Sequence, residues 1–283
     1  MKNFRDRVAV VTGGAGGLGR AMAERFAREG MRVVIADVDA AALARTEAEL
    51  RAGGADVAGV RCDVAKAADV EALAQAALAR YGAVHVAVNN AGVSPVGPVW
   101  ENTVRDWEWA LGVNLWGVIH GVRVFTPILL AQGDEGHIVN TASVAGLINP
   151  PGMGVYNASK HAVVSLTETL HHDLARRGAR VKCSVLCPAY VPTGIHDSER
   201  TRPKALVDEG RAPSAEQVAT AAMVRKAVLS GRISAAQVAE AVLAAIRDER
   251  FYILTHERIK PAIAARMEDI LSGATPRDPL ALG

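Results

Sequence analysis

The sequence predicts a single α/β domain spanning residues 1–283, a doubly wound parallel sheet of about seven strands with helices on both faces. Three observations carry this. Short apolar, β-branched runs alternate with alanine-rich helical patterns along most of the chain, the rhythm of parallel strands joined by right-handed crossovers. The first run opens directly into a glycine-rich loop and a helix. The second run closes on an acid, Asp37, 18 residues beyond the last glycine of that loop.

Taken in order, Arg7-Val-Ala-Val-Val-Thr12 reads as a buried strand. It leads into Gly13-Gly14-Ala15-Gly16-Gly17-Leu18-Gly19 and a helical pattern to Glu29, stopped at Gly30. Strand, glycine loop and helix in that order suit a dinucleotide. Glycines let the backbone approach a pyrophosphate, and the helix N-terminus offers it unpaired N–H groups. Met31 to Ala36 is the second strand, ending at Asp37. A carboxylate there accepts hydrogen bonds from the adenosine ribose hydroxyls and repels a 2′-phosphate. With Val38 after it and Gly16 in the loop, no basic neighbour offsets that repulsion, which favours NAD over NADP. Asp39 is expected to cap the next helix, running to about Gly53. Asp56–Arg61 is the third strand, Ala65–Tyr81 a helix, and Val84–Asn89 the fourth strand, running into Asn90-Ala91-Gly92. Later strands are expected at His137–Thr141, Ala179–Cys187 and Phe251–Leu254, with long helices at about Arg105–Gln132 and Gly154–Arg177.

Composition narrows the function classes. Half the residues are hydrophobic and 4% aromatic, so an aliphatic core can form without disulfides. A net charge of +2 with both signs interspersed gives no reason to expect nucleic acid or an anionic membrane as partner. Met1 to Arg5 runs straight into the first strand, so no leader is expected, and no uninterrupted apolar stretch approaches the ~20 residues a bilayer requires. Cys183 and Cys187 stand four apart in a strand-like run, about 13 Å at about 3.3 Å per residue, too far for a disulfide. With Cys62 they suggest a reduced, metal-free, cytoplasmic protein.

The stretch from Ser143 to Lys160 carries the chemistry. Tyr156 and Lys160, four apart on a helix, share one face one turn apart. A free tyrosine titrates near pH 10 and serves as a base near neutrality only if the lysine favours its ionised form. Ser143, 13 residues upstream of Tyr156 and just past a strand, can donate a hydrogen bond to a substrate oxygen as charge develops there. Tyr-x-x-x-Lys alone occurs on many helices by chance; the upstream serine and the glycine loop give it meaning.

Thr12-Gly13-x-x-x-Gly17-x-Gly19, Asp63-Val64, Asn89-Asn90-Ala91-Gly92, Asn114, Ser143 and Tyr156-x-x-x-Lys160, in this order and spacing, resemble the short-chain dehydrogenase/reductase family in its single-domain, Rossmann-like branch. The resemblance covers roughly residues 5 to 193 and resumes at the last strand. It implies a nicotinamide cofactor, with Gly13, Gly17, Leu18, Gly19 and Asp37 at its phosphates and ribose and Asp63 and Val64 at its adenine end. Asn89, Asn90, Ala91 and Gly92 would form the floor of the site, Val191 and Thr193 would hold the nicotinamide carboxamide, and Pro188 would also contact the cofactor. It further implies that Tyr156 is the catalytic base, that Lys160 binds the nicotinamide ribose, and that Asn114 links the lysine to solvent through a bound water. Where members usually have glycine after the proline, this chain has Ala189, a departure that bears on the turn. The two long helices usually form a dimer interface in the family, so a homo-oligomer, dimer or tetramer, is expected. Trp100, Trp107, Trp109 and Trp116 are read as core or interface residues.

Residues 194–232 are read as a substrate lid, polar at first and then helical from a capping box at Ser214-x-x-Gln217. A second box, Ser234-x-x-Gln237, opens another helix. Residues 256–283 read as a helical tail followed by a Pro-containing coil, able to contact a neighbouring subunit. The histidines are read as surface or core residues. Uncharged Ala145, Leu147, Ile148, Pro150, Pro151, Met153 and Val155 between Ser143 and Tyr156 predict a medium-sized apolar substrate, alicyclic, terpenoid or steroid-like. The expected reaction is reversible interconversion of a secondary alcohol and a ketone. A 3-oxoacyl-carrier-protein reductase is the rival enzyme, needing lid cations such as Arg200, Arg202 and Lys204; a cofactor-binding module without turnover is the rival of another class.

Overall fold

Every residue of β1 (Val8–Thr12) is buried, as a strand covered on both faces requires. A computed structural model of the chain describes residues 1–282. β1 lies between β2 and β4 in the interior of a seven-stranded, all-parallel sheet with the order β3-β2-β1-β4-β5-β6-β7. The other strands are β2 (Arg32–Asp37), β3 (Val57–Arg61), β4 (Val86–Asn89), β5 (Gly136–Thr141), β6 (Val181–Cys187) and β7 (Tyr252–Leu254). Several strands start one or two residues later than the apolar runs suggest; ahead of β4, His85 still donates its N–H to the Val8 carbonyl and accepts from the His137 N–H, both at 2.8 Å.

Alternation along the strands divides the core into two layers, since successive side chains point to opposite faces. Ala9, Val11, Val33, Ile35, Val86 and Val88 pack against Phe26 of α1 (Gly17–Arg28) and against Val242 and Ile246 of α8 (Ala235–Asp248). Val10, Val34, Ala87 and Ile138 face the other way. They meet Leu73 of α3 (Ala67–Tyr81), Phe125 of α5 (Gly117–Gln132) and Leu170 of α6 (Gly154–Arg176). Each of the larger side chains among them (Val, Leu, Ile, Phe) contributes roughly 1.5–3 kcal/mol by leaving water. α2 (Ala40–Ala52) begins as expected at Asp39, whose carboxylate accepts from the Ala42 N–H at 3.0 Å.

One correction concerns the long elements. The expected helix at Arg105–Gln132 starts at Val104. It is not uniform: α4 (Val104–Leu111) runs through a π-helical turn at Gly112–Trp116 into α5, which places Asn114 in the widened turn. This rod is long and apolar enough by length and composition to cross a bilayer, which the sequence reading did not anticipate. It carries Arg105, Asp106 and Glu108 near its start and packs on α3, α6, β4 and β5 as a layer of this fold. The segment at 194–232 follows the expected order, irregular at first with short turns at Gly194–Thr201 and Lys204–Leu206, then helical as α7 (Ala215–Leu229). Both anticipated capping boxes form, at Ser214 and Ser234. The tail contains α9 (Lys260–Ser272) and ends in a short turn.

The topology fixes where a ligand can sit. The chain leaves β3 at one edge and re-enters beside β1 as β4, so loops diverge at the carboxyl ends of β1 and β4 and open a crevice there. The glycine loop follows β1, Asp37 ends β2, and Asn90–Gly92, Ser143 and Pro188–Thr193 follow β4, β5 and β6, so all lie at the carboxyl edge of the sheet.

Candidate active site

One cleft of about 730 Å³ runs across that edge of the sheet. It gathers most of the residues singled out from the sequence: Gly13, Gly17, Leu18, Asp37, Asp63, Val64, Asn90, Ala91, Gly92, Ser143, Tyr156, Lys160, Pro188, Val191 and Thr193 all line it.

The glycine loop is held from behind. The Thr12 hydroxyl accepts from the N–H groups of Asn90 and Ala91, at 2.9 and 3.2 Å, and Asn90 Nδ2 donates to the Thr12 carbonyl at 3.0 Å. A Cβ on Gly16 would enter open space, with nothing within 4 Å. α1 has no side-chain cap and no acid in its first turn. Its first N–H groups are therefore left for an anion, and the loop fits a pyrophosphate. Asp37 accepts from the N–H groups of Ala15 and Asp39, at 3.2 and 3.1 Å, which fixes its carboxylate at the far end of the cleft. Gly19 does not line the cleft. A Cβ there would lie 2.1 Å from the Gly13 carbonyl oxygen, so this glycine serves close packing of helix on loop. Asn89 likewise turns away from the expected floor, its Nδ2 donating to Asn140 Oδ1 at 2.8 Å in the core.

At the other end the reacting groups meet. Ser143 precedes a tight turn at Val144–Gly146, its Oγ accepting from the Ala145 N–H at 3.2 Å. That turn is pressed against α6: a Cβ on Gly146 would lie 2.6 Å from the Lys160 carbonyl oxygen. The close approach brings Ser143 to Tyr156. The single hydroxyl proton of Ser143 can go to the Pro188 carbonyl, 3.3 Å away, or to the phenol oxygen. Burial pushes the Tyr156 phenol up to about 12, and its hydrogen bond with Ser143 acts in the opposite direction. Lys160 is only 2% exposed; its ammonium donates to the Thr141 carbonyl at 2.9 Å, and burial pushes it down to about 8.

Asn114, fully buried, stands behind the cleft. Its Oδ1 accepts from Val93 N at 2.8 Å, and its Nδ2 donates to the Val93 carbonyl at 2.9 Å and to Ser159 Oγ at 3.0 Å. Ser159 Oγ in turn donates to the Tyr156 carbonyl at 2.8 Å. Asn114 therefore braces the helical turn that bears Tyr156, and its amide is committed to that brace.

Ala189, where glycine was expected, adopts no left-handed conformation, so the side chain costs nothing; its N–H donates to His256 Nδ1 at 3.2 Å. His256 lines the cleft and is the histidine the sequence reading missed. Its position just past β7, at the same sheet edge as every other site loop, was the available signal. Of the tryptophans, Trp109 is 2% exposed, as a core residue should be, yet also forms part of the cleft wall. Trp100 and Trp116 are exposed.

Among the described residues no cluster of three or more His, Cys, Asp or Glu is arranged to hold a metal ion. Cys62, Cys183 and Cys187 are buried free thiols that burial pushes up to about 12.

Residues 7–204 match the family model for short chain dehydrogenase. A CLA biosynthesis dehydrogenase/reductase from Lactiplantibacillus plantarum is 35% identical over 281 residues, covering 98% of this chain and 97% of that one. A 1-deoxy-11-beta-hydroxypentalenate dehydrogenase from Streptomyces exfoliatus is 37% identical over 270 residues, covering 95% and 90%. The crystal structure of a short-chain dehydrogenase/reductase from Burkholderia phymatum, in complex with NAD, superposes with a TM-score of 0.97 at 56% identity over 99% of both chains.

Proposed function

The chain belongs to the short-chain dehydrogenase family, oxidoreductases of CH–OH and ketone groups, and from that premise we propose that it interconverts a secondary alcohol and a ketone with NAD. The substrate in this reading is medium-sized and mainly apolar. The observation that carries it is the convergence of Ser143, Tyr156 and Lys160 at one end of a cleft whose other end holds the glycine loop and Asp37.

NAD, when bound, supplies or takes up the hydride; the protein supplies position and electrostatics. Gly13, Gly17 and Leu18 receive the pyrophosphate, and Asp37 accepts from the adenosine ribose, which supports NAD over NADP. Asp63 and Val64 border the adenine, while Asn90, Ala91 and Gly92 form the floor. Pro188, Val191 and Thr193 flank the nicotinamide. In alcohol oxidation Tyr156 Oη takes the hydroxyl proton, and Ser143 Oγ donates to the substrate oxygen. Lys160, charged below about pH 8, favours the phenolate and binds the nicotinamide ribose. Asn114 acts on the proton path by position, through Ser159 and the Tyr156 turn.

Ile148, Pro150, Met153, Val224 and Val228 supply uncharged surface at the substrate end, which supports an apolar substrate. Of the three lid cations a charged acyl carrier would need, Arg202 is turned into an ion pair with Asp106 at 2.7 Å and only Arg200 lines the cleft. This weighs against an acyl-carrier-protein substrate. The exposed Trp116 and the groove formed by Val122, Thr126, Leu130 and Leu170 between α5 and α6 support a homo-oligomer built on those helices. The three free thiols support a reducing, cytoplasmic setting.

The test is NADH formation from NAD across cyclic, aromatic and long-chain secondary alcohols, with Tyr156→Phe alongside. Turnover that disappears in the variant supports the reading. Tight NADH binding with no turnover of any alcohol would replace it with a narrow specialised substrate or with the non-enzymatic module.

A further inference from the structure

We propose that Arg202 is a positioning residue that sets which alcohols the cleft accepts, by locking residues 198–208 against α4 as a fixed wall. The proposal rests on the alcohol dehydrogenase reading given above and adds to it the determinant of substrate size.

Thr201 and Pro203 line the cleft, whereas the Arg202 side chain between them turns away and is 9% exposed. Its guanidinium meets three parts of one wall. Nη1 pairs with Asp106 of α4 at 2.7 Å, Nε donates to the Leu206 carbonyl at 2.8 Å, and Cζ stands 5.0 Å from the centroid of the Trp109 ring. Glu199 approaches the same Nη1 at 3.5 Å. Trp109 and Leu206 both line the cleft and pack together with Val93. One cation thus stands behind the apolar surface that an alcohol's carbon skeleton would touch.

The partner is itself anchored. Asp106 accepts from the Thr103 N–H at 2.8 Å as half of the capping box of α4, so the ion pair ends on a rigid helix start. Weaker ties hold the flanks: the Thr103 hydroxyl donates to Asp208 at 2.6 Å, Arg105 donates to the Val207 carbonyl at 2.7 Å, and Ser198 Oγ accepts from the Ser94 N–H at 3.1 Å. Among the ion pairs of this wall, Arg202–Asp106 is the one largely removed from water at both ends, 9% and 13% exposed. Removing Arg202 leaves the Asp106 carboxylate without its cation, and removing Asp106 leaves the guanidinium only the longer contact to Glu199. Lysine is no substitute, because a point charge cannot reach Asp106, Leu206 and the indole face at once as a planar fork does. The first half of the segment read as a substrate lid is thus latched to α4.

A skeleton large enough to lie on the Trp109–Leu206 surface depends on this latch, and a compact one does not. The test compares a steroid-sized and a compact cyclic secondary alcohol with wild type, Arg202→Met, Arg202→Lys and Asp106→Asn. The asparagine keeps an acceptor for the Thr103 cap while removing the charge. Arg202→Met and Asp106→Asn are expected to raise KM for the large alcohol about tenfold and for the compact one less than twofold, with kcat and the Kd for NADH little changed. Arg202→Lys should fall between. Hydrogen exchange should quicken at the amides of 198–208 in Arg202→Met and stay unchanged in β1. An unchanged size preference in Arg202→Met overturns the proposal. So does a parallel loss of NADH binding, kcat and thermal stability, which would mean a merely structural role. If wild type oxidises neither alcohol, the function reading fails instead, and unchanged exchange at 198–208 in Arg202→Met would still overturn the latch.

Discussion

The Lys160 ammonium stands 5.6 Å from the centroid of the Tyr156 ring, one turn further along α6, and gives its hydrogen bond to the Thr141 carbonyl, not to the phenol. Lysine therefore acts on tyrosine through space. A cation so placed favours the ionised phenol, against the burial that pushes it up to about 12. The charge is present only while Lys160 keeps its proton, which burial limits to below about pH 8.

Stability should report this directly. Lysine in an unfolded chain titrates near 10.4, so between about pH 8 and 10 the unfolded chain holds a proton that folded Lys160 has released. Stability contributed at this site therefore rises with pH across that window. Above about pH 10 the sign reverses, because the unfolded chain loses a tyrosine proton that folded Tyr156 retains up to about 12. Thermal melts of the protein without added nucleotide should show Tm of wild type gaining on Lys160→Met between pH 7 and 9. Parallel curves for the two would mean that Lys160 is not desolvated.

Tyr156→Phe keeps the ring in its buried place and removes the only group suited to exchange the substrate proton. The expected loss in kcat is about 10²–10⁴-fold, the range for a positioned general acid or base, with the Kd for NADH changed less than threefold. Ser143→Ala should lose activity too, by removing the hydrogen bond that favours the phenolate, and should shift the pH profile of alcohol oxidation to higher pH. A Ser143→Ala profile that keeps the wild-type midpoint would detach Ser143 from the phenol.

Much of this was legible in the sequence, and the reason is chemical. A pyrophosphate demands glycines before a helix, a ribose demands an acid at the next strand end, and a tuned phenol demands a cation one turn away. Such requirements leave residue types at fixed spacings. What escaped was tertiary. Gly19 looked like a ligand residue and is a packing residue, because only the three-dimensional approach of α1 to the Gly13 carbonyl distinguishes the two. The π-helical turn at Asn114 has no residue code, and neither the commitment of its amide to Val93 and Ser159 nor the bracing of Ala189 by His256 follows from spacing. Arg202 and Asp106 lie almost a hundred residues apart, joined only once α4 and the lid segment are packed.

Asp37 should decide the nucleotide. Its carboxylate is fixed by two backbone N–H groups at the end of β2 and lines the cleft. Asp37→Ser removes the charge that repels a 2′-phosphate and weakens the bonds to the ribose hydroxyls. Affinity for NADH should fall about tenfold, about 1.4 kcal/mol, while affinity for NADPH rises. Titration of each nucleotide by fluorescence checks both arms, and NADPH binding that stays as weak as in wild type would place the discrimination elsewhere.

Two glycines three residues apart should separate binding from folding. Gly16 has an extended backbone, and a side chain there meets nothing within 4 Å; the methyl group of Gly16→Ala would project into the cradle. Its Tm should stay near wild type while NADH affinity drops severalfold, because the pyrophosphate must approach the backbone closely. Gly19→Ala would put a Cβ 2.1 Å from the Gly13 carbonyl oxygen and 2.7 Å from Asn90 Nδ2, so the helix must shift from the loop. Overpacking of that kind costs about 1–3 kcal/mol, and Tm should fall together with NADH affinity. Equal effects of the two alanines on Tm would mean that Gly19 is not the point where α1 is pressed onto the loop.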